Sequence, residues 1–371
     1  MKKWKDFVDK IGLPRLIIGL FFLLLIVSAL LLGLNSGMIL SDIIRRWLMF
    51  SVLVLAMIPG IQSGIGLNFG VSLGIVAGLL GMVISLEIGF RANWAATLGA
   101  GSAWLTLLVA MLIASILSVI IGSLYGLLLN KVKGSEMTVS TYVGFSAIAL
   151  MNIVWLSFKF ENGELVWPLQ GSGLRNTASL ASSFGGLLSD PDVVHHTQPQ
   201  WLHWLAFRIG DVIIPMGLII VVAFFCLVVW VLMRSKQGIA VSAAGENQLF
   251  TTSSGIHVDT MRIIGTAVST VLGAIGIILY AQTYGFVQLY NAPLMMSFAC
   301  VASILIGGAT VRRASIIHVI IGTLLFEGIL AIALPVVNTA IKVGTLPEVV
   351  RIIISNGIIL YALSKTKGGN Q

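Results

Sequence analysis

Side chains able to do chemistry are few in this sequence and fall in three places. Asp190, Asp192, His195, His196 and His203 are residue types that ligate metals. Their spacing fits no zinc-site pattern, and a solvated loop accounts for them, so no metal is expected. Glu327 stands alone among apolar residues, with Phe326 and Gly328 beside it. A carboxylate in that setting costs ~2.5–3.5 kcal/mol on membrane-insertion scales, so it must face the protein interior or water. It either lines a route for a polar solute or is protonated or hydrogen-bonded between helices. The third place is Ser235–Ile264, SKQGIAVSAAGENQLFTTSSGIHVDTMRII, a polar stretch between the apolar runs Val212–Met233 and Ile263–Ala281. Gly245 and Gly255 are its expected breaks, around a short helix, and the stretch is either a solvated connector or a folded loop on which another protein could push. No Gly-Lys-Ser or Gly-Lys-Thr of a phosphate-binding loop, no HExxH and no paired-cysteine site occurs. No catalytic residue and no cofactor is expected on this chain.

The elements that hold these residues are set by composition. Hydrophobic residues make up 57% of the 371 and charged residues 10%, against roughly 25% charged in soluble domains. Mean hydropathy is +1.02. The fold class is therefore all-α and polytopic, a single transmembrane domain over residues 1–371, because lipid leaves helices as the way to satisfy an isolated backbone segment. The 40 glycines suit close helix packing in a bilayer. Cys226 and Cys300 lie in apolar runs and are read as unpaired core residues. The net charge of +8 reports orientation before it reports any partner, so nucleic acid is not expected.

Apolar runs of about 20 residues suffice to cross, and ten are placed near 14–34, 48–66, 70–88, 104–129, 138–158, 210–233, 263–281, 294–310, 315–337 and 350–364. The run Leu16–Leu34 follows a charged start but is too long for a signal peptide, and it is read as an uncleaved first span. With the N-terminus inside, 14 of the 22 lysines and arginines fall in inner loops, Arg45, Arg46 and Arg91 being among the outer ones. That bias predicts an N-in, C-in topology with residues 235–262 in the cytoplasm and a long outer loop over 159–209. At the end of that loop Trp201, Trp204 and Phe207 fall at helical spacing, as in a short helix on the membrane surface.

Pro59-Gly60 and then Gly64, Gly66, Asn68, Gly70, Gly74 and Gly78 interrupt the second and third spans. Glycine weakens a helix by up to ~1 kcal/mol, and non-helical backbone at membrane depth survives only against protein or a water-filled cavity. Ile61–Ser72 is therefore read either as lining a pathway or as tight glycine packing. Asn152 in the fifth span reads as glue between helices.

At the central loop a family resemblance enters. Gly238-Ile239-Ala240-Val241-Ser242-Ala243-Ala244-Gly245-Glu246-Asn247, with Gly255-Ile256, resembles the ATPase-coupling loop of bacterial ABC importer permeases. The branch is the one that carries branched-chain amino acids, sugars and nucleosides. Ala244, Gly245, Asn247, Gly255 and Ile256 match the family pattern, whereas Thr251–Ser254 replaces its usual alanines. Gly66-Leu67-Asn68-Phe69-Gly70-Val71 is similar to the family's glycine-rich segment, and Ile306-Gly307-Gly308-Ala309 to its Leu-Gly-Gly signature, after which Val311-Arg312-Arg313 departs from it. Ser135–Thr141 and Pro347–Val350 lean towards the nucleoside subgroup. The resemblance runs from about residue 48 to 364.

The resemblance implies a type II-like permease in the bacterial inner membrane, working with a second permease, an extracytoplasmic binding protein and a cytoplasmic ATPase that holds ATP and Mg. Ala243, Ala244, Gly245, Glu246, Asn247, Gln248 and Gly255 would meet that ATPase. Gly64, Asn68, Ser72, Asn152 and Glu327 would line the path, with Met295, Met296 and Phe298 as an apolar gate or as ordinary packing. A gradient-driven carrier or channel is the competing class, and it calls for more mid-membrane ionisable groups than Glu327. An intramembrane enzyme would need a clustered catalytic set.

Overall fold

The computed structural model describes residues 13–166, 174–290, 292–340 and 346–364. The apolar runs are helical, as a chain must be where no water can pair with its backbone. They form α1 (Leu13–Leu31), α2 (Ser36–Leu55), α3 (Met57–Gln62), α4 (Val71–Arg91), α5 (Trp94–Leu98), α6 (Gly101–Lys131) and α7 (Glu136–Ser157). After the long loop come α8 (Pro191–Thr197), α9 (Met216–Arg234), α10 (Lys236–Glu246), α11 (Gln248–Ser253), α12 (Val258–Tyr284), α13 (Ala292–Ile306), α14 (Ile316–Ala340) and α15 (Leu346–Ser364). Among the described residues, seven stretches are long and apolar enough to cross a bilayer: α2 with α3, then α4, α6, α7, α9, α12 and α14. Arg15–Leu31, Met295–Ile306 and Ile352–Tyr361 are shorter apolar helices at the other expected positions.

Two expected boundaries move. The second span begins at Ser36, not near residue 48, because Asn35 caps it by accepting from the amides of Gly37 and Met38. Arg45 and Arg46, expected in an outer loop, therefore sit on the helix. The sixth long run loses its first residues to a hairpin. Strand β2 (Phe207–Ile209) pairs antiparallel with β3 (Val212–Ile214) around Gly210, whose φ of +59° suits glycine. That pairing also takes Phe207 out of the expected surface helix, which shrinks to a 3-10 turn over Gln200–Leu205. Trp201 and Trp204 remain exposed on it. Residues 177–179 (β1) pair with residues 286–288 (β4), which ties the long loop to the end of α12.

Helix α12 is central, packed against α6, α4 and α2–α3, and small residues let it come close. The backbone of Gly74 lies on that of Thr270 and Gly273, Gly122 lies on Ala267, and Gly276 lies on Leu53, the packing mode of helices in lipid. Helices α1, α13, α14 and α15 form a second cluster around Phe326, Ile329 and Ile332.

Loops gather at two ends. At the hairpin end Asn35 donates to Asp211 (2.8 Å), and the carboxylate of Glu87 accepts from the amides of Glu161 and Asn162. At the other end, carrying α10 and α11, Arg262 donates to Glu136 at 2.7 Å with its side chain fully buried, and its Nε and Nη1 lack partners. A buried ion pair is costly to break and often neutral to replace. Glu136→Leu, which strands Arg262, should destabilise the fold by ~3–5 kcal/mol, and Glu136→Leu with Arg262→Met should recover most of it. Thermal unfolding of the purified variants in detergent checks the order; a double variant no better than the single would overturn it.

Candidate functional site

The α10–α11 segment is shaped by two polar caps and a glycine. Ser235 caps α10 by accepting from the Gly238 amide (3.2 Å). Asn247 ends α10 and caps α11 by accepting from the Phe250 amide (3.0 Å). Gly255, at φ +79°, closes the segment as expected. Gly245, expected as a break, does not act as one: α10 runs through it to Glu246, and the turn falls at Asn247, where a side-chain cap is available.

What Gly245 does is allow contact. A Cβ there would strike the carbonyl oxygen of Gln62 and the amide nitrogen of Gly64, and a Cβ on Gly64 would lie 2.8 Å from the Gly245 Cα. Gln62 adds polar links, accepting from Ser242 (3.0 Å) and donating to the Ala314 carbonyl (2.8 Å). Val241 and Ala244 are buried on the same side. Helix α10 is thus seated on the end of α3, where the second span breaks.

Of the residues expected to meet a partner, Ala244 is buried, Ala243 and Gly245 are half-buried, and Glu246, Asn247, Gln248 and Gly255 are exposed. Glu246 accepts from Arg313 (3.2 Å). Leu249 and Phe250, not singled out from the sequence, are 84% and 66% exposed on α11. The signal was two large apolar residues inside a polar run.

Residues Ser63–Gly70 are irregular, with positive φ at Gly64 and Gly66. Asn68 is fully buried. Its Oδ1 accepts from the Tyr125 hydroxyl (2.9 Å) and the Gly70 amide (2.8 Å), while its Nδ2 has no partner. Ser72 is hydrogen-bonded to Ser297 (2.7 Å), and Phe69 packs on Phe298 at 5.1 Å between ring centroids. Gly70-Val71-Ser72-Leu73-Gly74 spells a GxSxG pattern, yet no strand precedes it and Ser72 donates to the Phe69 carbonyl (3.0 Å). A nucleophile elbow needs strand, turn and helix.

The expected path residues do not share one void. Gly64 lines a hollow of about 430 Å³ at the α10 end, with Glu136, Gly245, Gln248 and Arg312. Met295, Met296 and Glu327 line another of about 340 Å³. Asn68 and Ser72 lie buried, Phe298 is half-buried, and Asn152 sits on α7 with its buried Oδ1 unpartnered. In the long loop His195 stacks on His203 at 4.4 Å. Among the described residues no three His, Cys, Asp or Glu gather as a metal site.

Residues 16–363 match the family model described as branched-chain amino acid transport system, permease component. No curated protein and no solved structure matches the chain. The matched region takes in the helices, the glycine-rich break and the helix seated on it, and the chain belongs to this permease family of ABC transporters.

Proposed function

We propose that this chain is the transmembrane subunit of an ATP-driven importer in the bacterial inner membrane. It forms the path for a small polar solute, with a nucleoside or purine-like molecule favoured within a class that includes sugars, amino acids and flavins. The observation that carries this reading is the seating of α10 on the broken second span through Gly245, Gly64 and Gln62. A contact between backbones transmits displacement, because packed elements switch between arrangements and do not deform continuously. A cytoplasmic ATPase holding ATP and Mg would push on Glu246–Phe250, and the push would reach Gly64 and Asn68.

The α10 end is then cytoplasmic, the N- and C-termini lie inside, and the hairpin end faces an extracytoplasmic binding protein. A second permease, identical or similar, would complete the path. Glu327 is the feature that speaks for a gradient-driven carrier, since such carriers place ionisable groups at mid-membrane.

Affinity purification from the native membrane, followed by mass spectrometry and an ATPase assay, separates the two. The expected result is recovery with a nucleotide-binding subunit whose ATPase rises when a binding protein and nucleoside are added. Recovery of the chain alone, with flux in liposomes driven by an ion gradient, would overturn the reading.

A further inference from the structure

The geometry points to a discrete solute site around Glu327, one that selects a neutral, planar, ring-bearing solute with hydrogen-bond donors and acceptors on its edge. This rests on the importer reading, which supplies the path but leaves open whether it holds a site or is a smooth conduit. The cavity, about 340 Å³, is of a size that takes small organic ligands.

Among an otherwise largely aliphatic lining it presents five aromatic side chains, Phe50, Tyr280, Tyr284, Phe286 and Phe326. Tyr280 and Tyr284 lie within 13° of parallel at 5.4 Å, and Phe286 stands edge-on to Tyr284 at 4.8 Å. Such rings reward a flat partner that can stack or meet them edge to face. A branched aliphatic body or a bare sugar leaves that geometry unused.

The polar groups are few and placed around those walls. Glu327, 6% exposed, offers carboxyl oxygens, and Gln288 and Asn356 offer amides. A second cavity of about 200 Å³ shares Tyr284 with the first and is lined by Arg45 and Arg46. Arg45 is taken up by Asp42 at 2.8 Å. Arg46, half-buried on α2, lines this second cavity and not the first.

Glu327 is the one acidic or basic side chain among the described residues that line the first cavity, and it is buried. A solute with net charge loses hydration on entering such a space, which costs far more than burying a neutral polar one. A neutral ring can hydrogen-bond to Glu327 and to the amides of Gln288 and Asn356 without that cost. Anions are excluded most strongly, since they must pass a buried carboxyl group.

The test is equilibrium binding of tritiated adenosine to the full chain, purified with whatever subunits accompany it and held in nanodiscs. Ribose, leucine and adenosine monophosphate serve as unlabelled competitors. Adenosine should bind, and none of the three should displace it at a hundredfold excess. Glu327→Gln should weaken binding about tenfold or more, the scale of a hydrogen bond to a charged group. Tyr284→Leu, which leaves the acid in place, should weaken it about threefold or more. Leucine or adenosine monophosphate binding in preference, no binding by any probe, or unchanged affinity in both variants would overturn the site. Binding intact in a chain that is recovered without any ATPase partner and carries solute down an ion gradient in liposomes would overturn the importer reading and leave the site standing.

Discussion

Gly245→Trp is expected to lower ATP-coupled uptake by ~5–150-fold, the range of a 1–3 kcal/mol coupling term, while the chain still inserts. The reason lies in a contact between two backbones. Any side chain at 245 meets the Gln62 carbonyl and the Gly64 amide, so α10 must lift from the end of α3. Overpacking of this kind costs ~1–3 kcal/mol, and here the displaced surface is the one proposed to carry the push. Gly245 lies inside a helix, so backbone conformation does not require glycine there, and Gly245→Ala isolates the contact with a single methyl. It should show a smaller loss in the same direction. Gly255→Ala is the comparison: it strains a positive φ but meets nothing within 4 Å. Uptake is measured in proteoliposomes with the partner subunits and compared with ATPase rate. Uptake unchanged by both substitutions at 245, with ATPase still coupled, would sink the role given to this contact.

How much of this was legible in the sequence follows from what carries the information. Apolar runs longer than a bilayer crossing announce themselves, which is why α4, α6, α7, α12 and α14 fall close to where they were expected. Gly64 and Gly66 were legible as a break, since glycine clustering and proline both act locally. What the break touches was not. The Tyr125 hydroxyl that meets Asn68 lies 57 residues away, and nothing local in either residue names the other. Boundaries failed where a cap or strand pairing outweighed hydropathy: Asn35 begins α2 early, and the β2–β3 pairing consumes the start of the sixth long run. Arg46 was lost in the same way. Assigned to a loop by charge, it lies on the helix beside a cavity. The candidate site was half legible, because Glu327 stands out in an apolar run while the aromatic walls around it look like ordinary core.

Leu249→Asp with Phe250→Asp should remove most of the ATPase from the purified chain while leaving the fold intact. Helix α11 exposes both side chains at the polar end of the molecule. Large apolar residues standing out of a polar surface mark a docking site more reliably than scattered single ones, and an aromatic anchor commonly carries ~2 kcal/mol or more of an interface. Losing both, with two carboxylates set in their place, amounts to several such units and takes a complex of micromolar strength beyond recovery on a column. The fold is spared because neither side chain is buried and the α11 cap belongs to Asn247, whose bond is to the Phe250 backbone and not to its ring. Thermal unfolding of the doubly substituted chain alone should match the parent within about 0.5 kcal/mol, as surface changes do. The measurement is the yield of ATPase on pull-down at two salt concentrations. A hydrophobic contact should be lost in the variant at both, whereas a contact made chiefly by Glu246 and its neighbour Arg313 should persist in the variant at low salt and weaken as salt screens it. The second outcome would move the contact from the apolar pair on α11 back to the end of α10, where the sequence alone had put it.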